Sequence, residues 1–391
     1  MLSAFRMARK SLGRFLFVFF ALFAAACVPQ GSPGGGNSGT SGGSKKVQVA
    51  LLVPGGSGQA SDQLMADSLA NAARLAAADL SGVTIDLRVY QTGGNPTQAS
   101  TVAVQAVNEG AQVILGPVFA QEANAVGVAL ASRGINVLAF SNNVDIAGGN
   151  VFVLGPTFDN SARRMASYAV KQGRNRIMIV HERNISGEAG KTAIQRGVAA
   201  SGGTVVAVSG YEYSQQGLSS AAPGIVATAR ESGASALFLT ADTAGALPLL
   251  SQLLIDNGLD RNTAKYLGLT RWDLPAQTLG LPGVQGGWFT LPDPNLYAQF
   301  QNRYRQAYGA APLPITGLAY DGIAAIGALA RQGNDMSARS LTQNAGFVGV
   351  SGIFRFRANG TNERGLAVAE IRNNQVVVID PAPRSFSGAG L

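Results

Sequence analysis

One cysteine, Cys27, and one histidine, His181, stand in 391 residues. A structural zinc site wants thiolate and imidazole ligands in numbers, and a hydrolytic triad wants a histidine beside its nucleophile. The usual zinc, Ser-His-Asp and Cys-His architectures are therefore closed unless His181 serves in them. Charge is also scarce, at 13% of the residues. Beyond Arg163-Arg164 there is no basic block, and no aromatics interleave with basic residues, so nucleic-acid binding has no footprint. Paired catalytic carboxylates are lacking as well. Glu182, Glu188, Asp242 and Asp273 are scattered, and nothing positions a nucleophile. The expectation is a protein without enzyme activity, cofactor or metal.

Long hydrophobic runs are lacking too. The uncharged run Phe15–Cys27 has thirteen residues, about 20 Å as a helix, against a bilayer core of about 30 Å. What precedes it is basic, with Arg6, Arg9, Lys10 and Arg14 and no acid, and what closes it is Ala24, Ala25 and Ala26. This is the layout of a secretory signal. Small side chains directly before a cysteine resemble the lipobox of bacterial lipoproteins, although Leu22 stands further from Cys27 than the usual leucine. The resemblance implies a signal over 1–26 and a diacylated Cys27 as first mature residue. An ordinary cleaved signal with a leftover thiol is the alternative. Residues 27–45 then form an anchor and tether, since Gly31–Ser44 has no apolar side chain to bury. Val28, with no aspartate after the cysteine, points by the same resemblance to the periplasmic face of the outer membrane. Loss of the four basic residues leaves 26 basic against 22 acidic side chains in the mature chain.

From Val47 onward, short β-branched runs alternate with longer amphipathic stretches. Val47–Val53 reads as a buried strand, followed by a helix over Ser61–Leu80 with Ser61 as N-cap. Strand Val83–Tyr90, helix Pro96–Asn108, strand Ala111–Leu115, helix Gln121–Ser132 and strands Asn136–Ala139 and Val151–Leu154 continue the series. A second series follows "GPTFDN", with helices over Ser161–Gln172, Gly190–Ser201, Ala222–Ser232 and Ala244–Asn257 between strands. Such βαβ order argues for α/β architecture with parallel sheets sandwiched by helices, and the length argues for two lobes.

The stretches "VALLVPGGSG", "VILGPVFAQEANAV", "INVLAFSNN", "FQNRYRQAYGAAPLPITGLAYDGIAAI" and "FVGVSGIFRFRANGTNERGLAVAEI" resemble the leucine/isoleucine/valine-binding class of type I periplasmic binding proteins. Within that class, the likeness is greatest to penicillin-binding-protein activator lipoproteins. The resemblance implies a two-lobe fold, with lobe 1 over 46–157 and 294–366 and lobe 2 over 158–293 and 367–391. Three crossings near Gly155–Phe158, Leu291–Pro294 and Gly365–Val368 would join them, with a ligand cleft between. The implied function is solute binding in the periplasm, of an amino acid or amide-like molecule, with an ABC transporter as partner. The alternative is a regulator of peptidoglycan synthesis whose partner is a penicillin-binding protein.

In open α/β sheets, ligands sit beyond the carboxyl ends of strands. That rule selects Ser57 and Gly58 after the first strand, Gly116 and Pro117 after the third, and Ser141, Asn142 and Asn143 after the fourth. "SNN" is the most informative, because hydroxyl and amide groups can meet a carboxylate or an amide; its plain alternative is a polar turn capping Val144 onward. In the second lobe the rule, with the resemblance, selects Glu182, Arg183, Ser186, Thr240, Thr270, Arg271 and Trp272. Arg271 would pair an anionic ligand and Trp272 would pack on it; an arginine stacked on an indole as an ordinary surface feature is the equal alternative. Amino-acid binders of the class carry a serine or threonine just beyond the "GP" turn, where this chain has Ala120. Tyr320-Asp321 matches the class's "YDA" helix start and reads better as packing than as ligand contact. "NISGEAGKT", Asn184 to Thr192, invites a phosphate-loop reading, but Ile185 occupies the position that needs glycine. The segment is expected to be a loop, which by the resemblance faces the cleft; the plain alternative is a solvated loop in which Gly187 and Gly190 supply turns.

Overall fold

A computed structural model describes residues 45–259 and 264–386. The signal, Cys27 and the glycine/serine tether lie outside the described residues. The first sheet holds β1 (Lys45–Val53), β2 (Val83–Gln91), β3 (Val113–Leu115), β4 (Val137–Ala139) and β5 (Val151–Val153), in the order β2-β1-β3-β4-β5. All its pairings are parallel. In β1 the two faces of the pleat serve two cores: Val49, Leu51 and Val53 enter one, Ala50 and Leu52 the other. Helices α1 (Ala60–Ala78), α2 (Pro96–Asn108) and α3 (Ala120–Leu130) follow the first three strands. The N-cap of α1 is Gln59, without a side-chain cap, and not Ser61. Asn95 caps α2, its side chain accepting from the amides of Thr97 and Gln98 with Pro96 at the first helical position.

The second half contains α4 (Phe158–Lys171), β6 (Arg176–Glu182), α5 (Ile185–Ala200), β7 (Thr204–Tyr211), α6 (Gln215–Glu231), β8 (Ala236–Leu239), α7 (Leu247–Asp256), β9 (Lys265–Gly268) and β10 (Trp288–Leu291). Then come α8 (Pro294–Tyr308), α9 (Thr316–Gln332), β11 (Phe347–Gly349), β12 (Gly352–Phe356), β13 (Asn362–Arg364), β14 (Ala367–Arg372) and β15 (Gln375–Asp380). The second sheet runs β15-β14-β10-β9-β8-β6-β7. Its strands β6 to β10 pair in parallel, and the hairpin β14–β15 adds to β10 antiparallel, so this sheet is mixed. A separate antiparallel sheet, β11-β12-β13, packs its Phe347, Phe354 and Phe356 into the first lobe's core.

Four sequence expectations move. The segment 185–200 is helix, so "NISGEAGKT" is a helix start and not a loop. Asn184 caps it by accepting from the Gly187 amide at 2.7 Å, and a Cβ on Gly187 would lie 2.0 Å from the Glu182 carbonyl oxygen. Gly187 is therefore a close-packing residue rather than a turn, and Gly190 packs against Leu269 and Thr240. Helix α6 begins seven residues before the expected Ala222, because Ser214 caps it by accepting from the Gly217 amide. Helix α7 begins at Leu247, where Pro248 sits in the first turn.

The chain passes between the sheets after β5, after β10 and after β13. The first and third passages are tied together where the Asn362 amide donates to the carbonyls of Val153 and Gly155, both at 2.8 Å, and the second is tied to the turn between β11 and β12 where Asp293 donates its amide to the Ser351 carbonyl at 3.2 Å.

Candidate functional site

Two rims of strand ends carry the candidate residues. On the first rim, the loop after β1 presents Ser57, whose hydroxyl donates to Asp62 at 2.7 Å and accepts from the Gln59 amide at 3.1 Å. Gly58 beside it is exposed and has a positive φ of 80°. Gly116 and Pro117, expected at the ligand, are buried. Gly116 adopts φ +89°, and a Cβ there would lie 2.3 Å from the Leu52 carbonyl oxygen, so the pair shapes the turn and does not line it. In "SNN", Ser141 is buried and accepts from the Asn143 amide at 3.1 Å, while the Asn143 side chain accepts from Asp145 at 2.9 Å. Asn143 is thus the cap of the turn at Val144–Ile146, the plainer of the two readings; Asn142 is exposed.

The second rim is acidic. Glu182 ends β6, and its amide donates to the Thr240 hydroxyl at 3.2 Å. Burial pushes its carboxyl pKa up, and the nearby charges of Asp242 and Glu212 push it further. Arg183 pairs with Glu212 at 3.6 Å. Tyr211 is buried at the end of β7, where burial and then Glu182 and Asp242 raise its hydroxyl pKa. Ser186 is exposed in the first turn of α5. Lys191 pairs with Glu188 on the same helix, and Ile185 stands 92% exposed at its start, so nothing there wraps a phosphate. Tyr211 and Glu212 are not among the residues selected from the sequence, although Tyr211 ends β7 just as Glu182 ends β6 and Glu212 follows it.

Trp272 is the clear correction. It is fully buried and stacks on Phe289, with ring centroids 6.5 Å apart, so it cannot pack on a cleft ligand. Two glycines make its room: a Cβ on Gly268 would lie 2.5 Å from the indole, and one on Gly287 2.4 Å. The Thr270 hydroxyl is buried without a hydrogen-bond partner. Arg271 does face open space, in a cavity of about 430 Å³ lined also by Tyr297 of α8 and by Pro292 of the second passage. Asp273 takes its guanidinium at 2.9 Å through Nε, which cancels much of its charge for any anion. Among the described residues, no three His, Cys, Asp or Glu side chains converge to hold a metal ion, and no helix is long and apolar enough to cross a membrane.

The family model described as periplasmic binding protein matches residues 46–375, nearly the whole described chain. The chain belongs to the periplasmic binding protein family. The family is one of substrate-binding proteins, and its two-lobe fold recurs in solved structures at low identity. A branched-chain amino acid ABC transporter periplasmic ligand-binding protein from Burkholderia xenovorans is 17% identical, covering 88% of this chain and 97% of that one, with a TM-score of 0.67. A leucine-, isoleucine-, valine-, threonine- and alanine-binding protein from Brucella ovis, in a closed conformation, is 17% identical over 83% of this chain and 90% of its own, with a TM-score of 0.61. An ABC-transporter solute-binding protein from Rhodopseudomonas palustris, in complex with 3,4-dihydroxybenzoic acid, is 18% identical over 86% and 96%, with a TM-score of 0.56. These likenesses establish the fold. No curated protein matches the chain.

Proposed function

We propose that this periplasmic binding protein takes an amino acid or amide-like molecule between its lobes, for delivery to an ABC transporter, while anchored by a lipidated Cys27 to the outer membrane's inner leaflet. The lobes are assigned as 46–157 with 294–366 and 158–293 with 367–391. The observation that carries the reading is the unequal polarity of the rims. Glu182, Asp242 and Glu212 gather negative charge where a ligand ammonium would sit. The opposite rim offers the Ser141 hydroxyl and the start of α3, whose first amides suit a carboxylate. Ala120, at that start, contributes its backbone but no hydroxyl. The B. xenovorans and B. ovis proteins, which carry amino-acid names, share the fold and support this choice of ligand class.

The test is a thermal-shift panel of amino acids and amides. A ligand at a hundred times its dissociation constant adds about 2.7 kcal/mol, worth roughly 4 °C for a chain of this size. A panel with no shift above about 1 °C would overturn the proposal.

The second reading is an interaction protein that activates a penicillin-binding protein. It is favoured by the way Ser57 and Asn143 spend their side chains on Asp62, Gln59 and Asp145 within the chain. Direct binding to a purified penicillin-binding protein, with the panel silent, would select it.

A further inference from the structure

A cavity of about 910 Å³ opens beside the first passage, between the start of α4, the middle of α5 and the loop joining β12 to β13. None of the candidate cleft residues lines it. Five arginines do, with two carboxylates, Asp159 and Glu363. Three of the arginines are spoken for. Arg196 grips Asp159 with two bonds of 2.9 Å, Arg164 reaches Asp380 at 2.8 Å, and Arg364 meets Asp321 at 3.1 Å.

The other two, Arg163 and Arg357, share a single carboxylate, Glu363, with Arg355. Arg355 lies 2.8 Å from it, Arg163 is at 3.8 Å, and Arg357 is in direct contact. Glu363 is only 9% exposed, whereas the side chains of Arg163 and Arg357 are 48% and 41% exposed. Three guanidiniums on one carboxylate leave two positive charges without a counterion. Burial above all, and then the charges of Arg355 and Arg163, hold the Arg357 pKa below its ordinary value. A second, independent sign is an unused donor: Arg364, one of the lining residues, keeps a buried Nε–H without a partner.

A compact dianion with several acceptor oxygens satisfies these terms, because guanidinium forks match tetrahedral oxyanions two bonds at a time. We propose that this cavity binds a small oxyanion of the phosphate class, hydrogen phosphate or a phosphomonoester, at a site separate from the interlobe cleft. Glu363 is the competitor within the site, holding the guanidiniums in place until the anion shares them.

Isothermal titration of phenyl phosphate and of inorganic phosphate into the full chain at low ionic strength tests this, with the two probes separating ester from free anion. Saturable binding with a dissociation constant below about 1 mM is expected for at least one of them. Arg163→Gln with Arg357→Gln should weaken it at least about tenfold. Glu363→Gln should tighten it, since the competing carboxylate is gone, an effect that a purely structural glutamate would not produce. Nitrate at matched ionic strength should give no saturable heat. The proposal fails if neither probe binds the wild type up to about 10 mM, or if the arginine pair leaves affinity unchanged. It fails equally if Glu363→Gln weakens binding while near-ultraviolet dichroism stays native; where that variant does not fold, the arginine pair decides.

Discussion

Asp321 and Arg364 form a buried ion pair, 3.1 Å apart and joined across 43 residues, that fastens α9 to the third passage between the lobes. The same carboxylate accepts from the Val350 amide at 2.7 Å, and the same guanidinium donates to the Leu154 carbonyl at 2.6 Å. One pair thus holds the ends of two passages and the hairpin of β11 and β12. Gly349 leaves the space for it, as a Cβ there would lie 2.0 Å from Asp321 Oδ1.

Removing one partner should therefore cost more than removing both. Arg364→Ala strands a carboxylate in the core, and the loss should be about 3–5 kcal/mol. Urea unfolding of Asp321→Ala, Arg364→Ala and the double variant should give losses well short of additive. Additive losses would mean that the two side chains act separately.

Glu122, in the first turn of α3, is fully buried with neither carboxylate oxygen hydrogen-bonded. Burial pushes its pKa above the ordinary value, against smaller opposite pulls from Thr92 and the Phe119 backbone. The folded state thus keeps this proton longer than the unfolded chain. Stability conferred by the neutral acid is present below the unfolded pKa and is lost as pH rises through the folded one. Glu122→Gln should gain on the wild type by about 1 kcal/mol at neutral pH and lose that advantage in acid. Melting curves at several pH values check the sign.

If the cleft takes an amino acid as proposed, Glu182 should couple its binding to pH. Its pKa is raised by burial and by Asp242 and Glu212, and a bound ammonium needs it ionised. Affinity for an amino acid should fall as pH drops through this raised value. In Glu182→Gln the fall should flatten and neutral-pH affinity should drop about tenfold, near 1.4 kcal/mol. A profile identical in both proteins would remove Glu182 from the site.

Gly268→Ala should destabilise by about 1–3 kcal/mol, since the new methyl meets Trp272 at 2.5 Å in a packed core. Trp272 fluorescence should shift red as the indole is displaced. An unchanged midpoint and spectrum would show that the indole has room to move.

Cys27 lies outside the described residues, and its acylation rests on Ala24–Ala26 before it and the glycine/serine tether after it. Metabolic labelling with a palmitate analogue should mark the wild type and spare Cys27→Ser. Equal labelling of both would rule the anchor out.

Read by itself, the sequence determined the order of strands and helices, because that order rests on local periodicity. Val49 to Val53 is apolar on both faces, as a strand covered on both sides must be, and Pro96 behind Asn95 starts a helix wherever it is placed. The succession of blocks was likewise enough for the family. What tertiary structure decided is which of the selected residues stay available to a ligand. Trp272 stands at a strand end like Thr240, yet glycines 4 and 15 residues away in sequence, Gly268 and Gly287, opened a slot that took it into the core. Gly187 and Gly190 read as turns until the Glu182 carbonyl and Leu269 are brought against them. Asp321 and Arg364, and Arg163 and Glu363, come together only through the passages between lobes, and no periodicity in a linear chain records a contact of that separation.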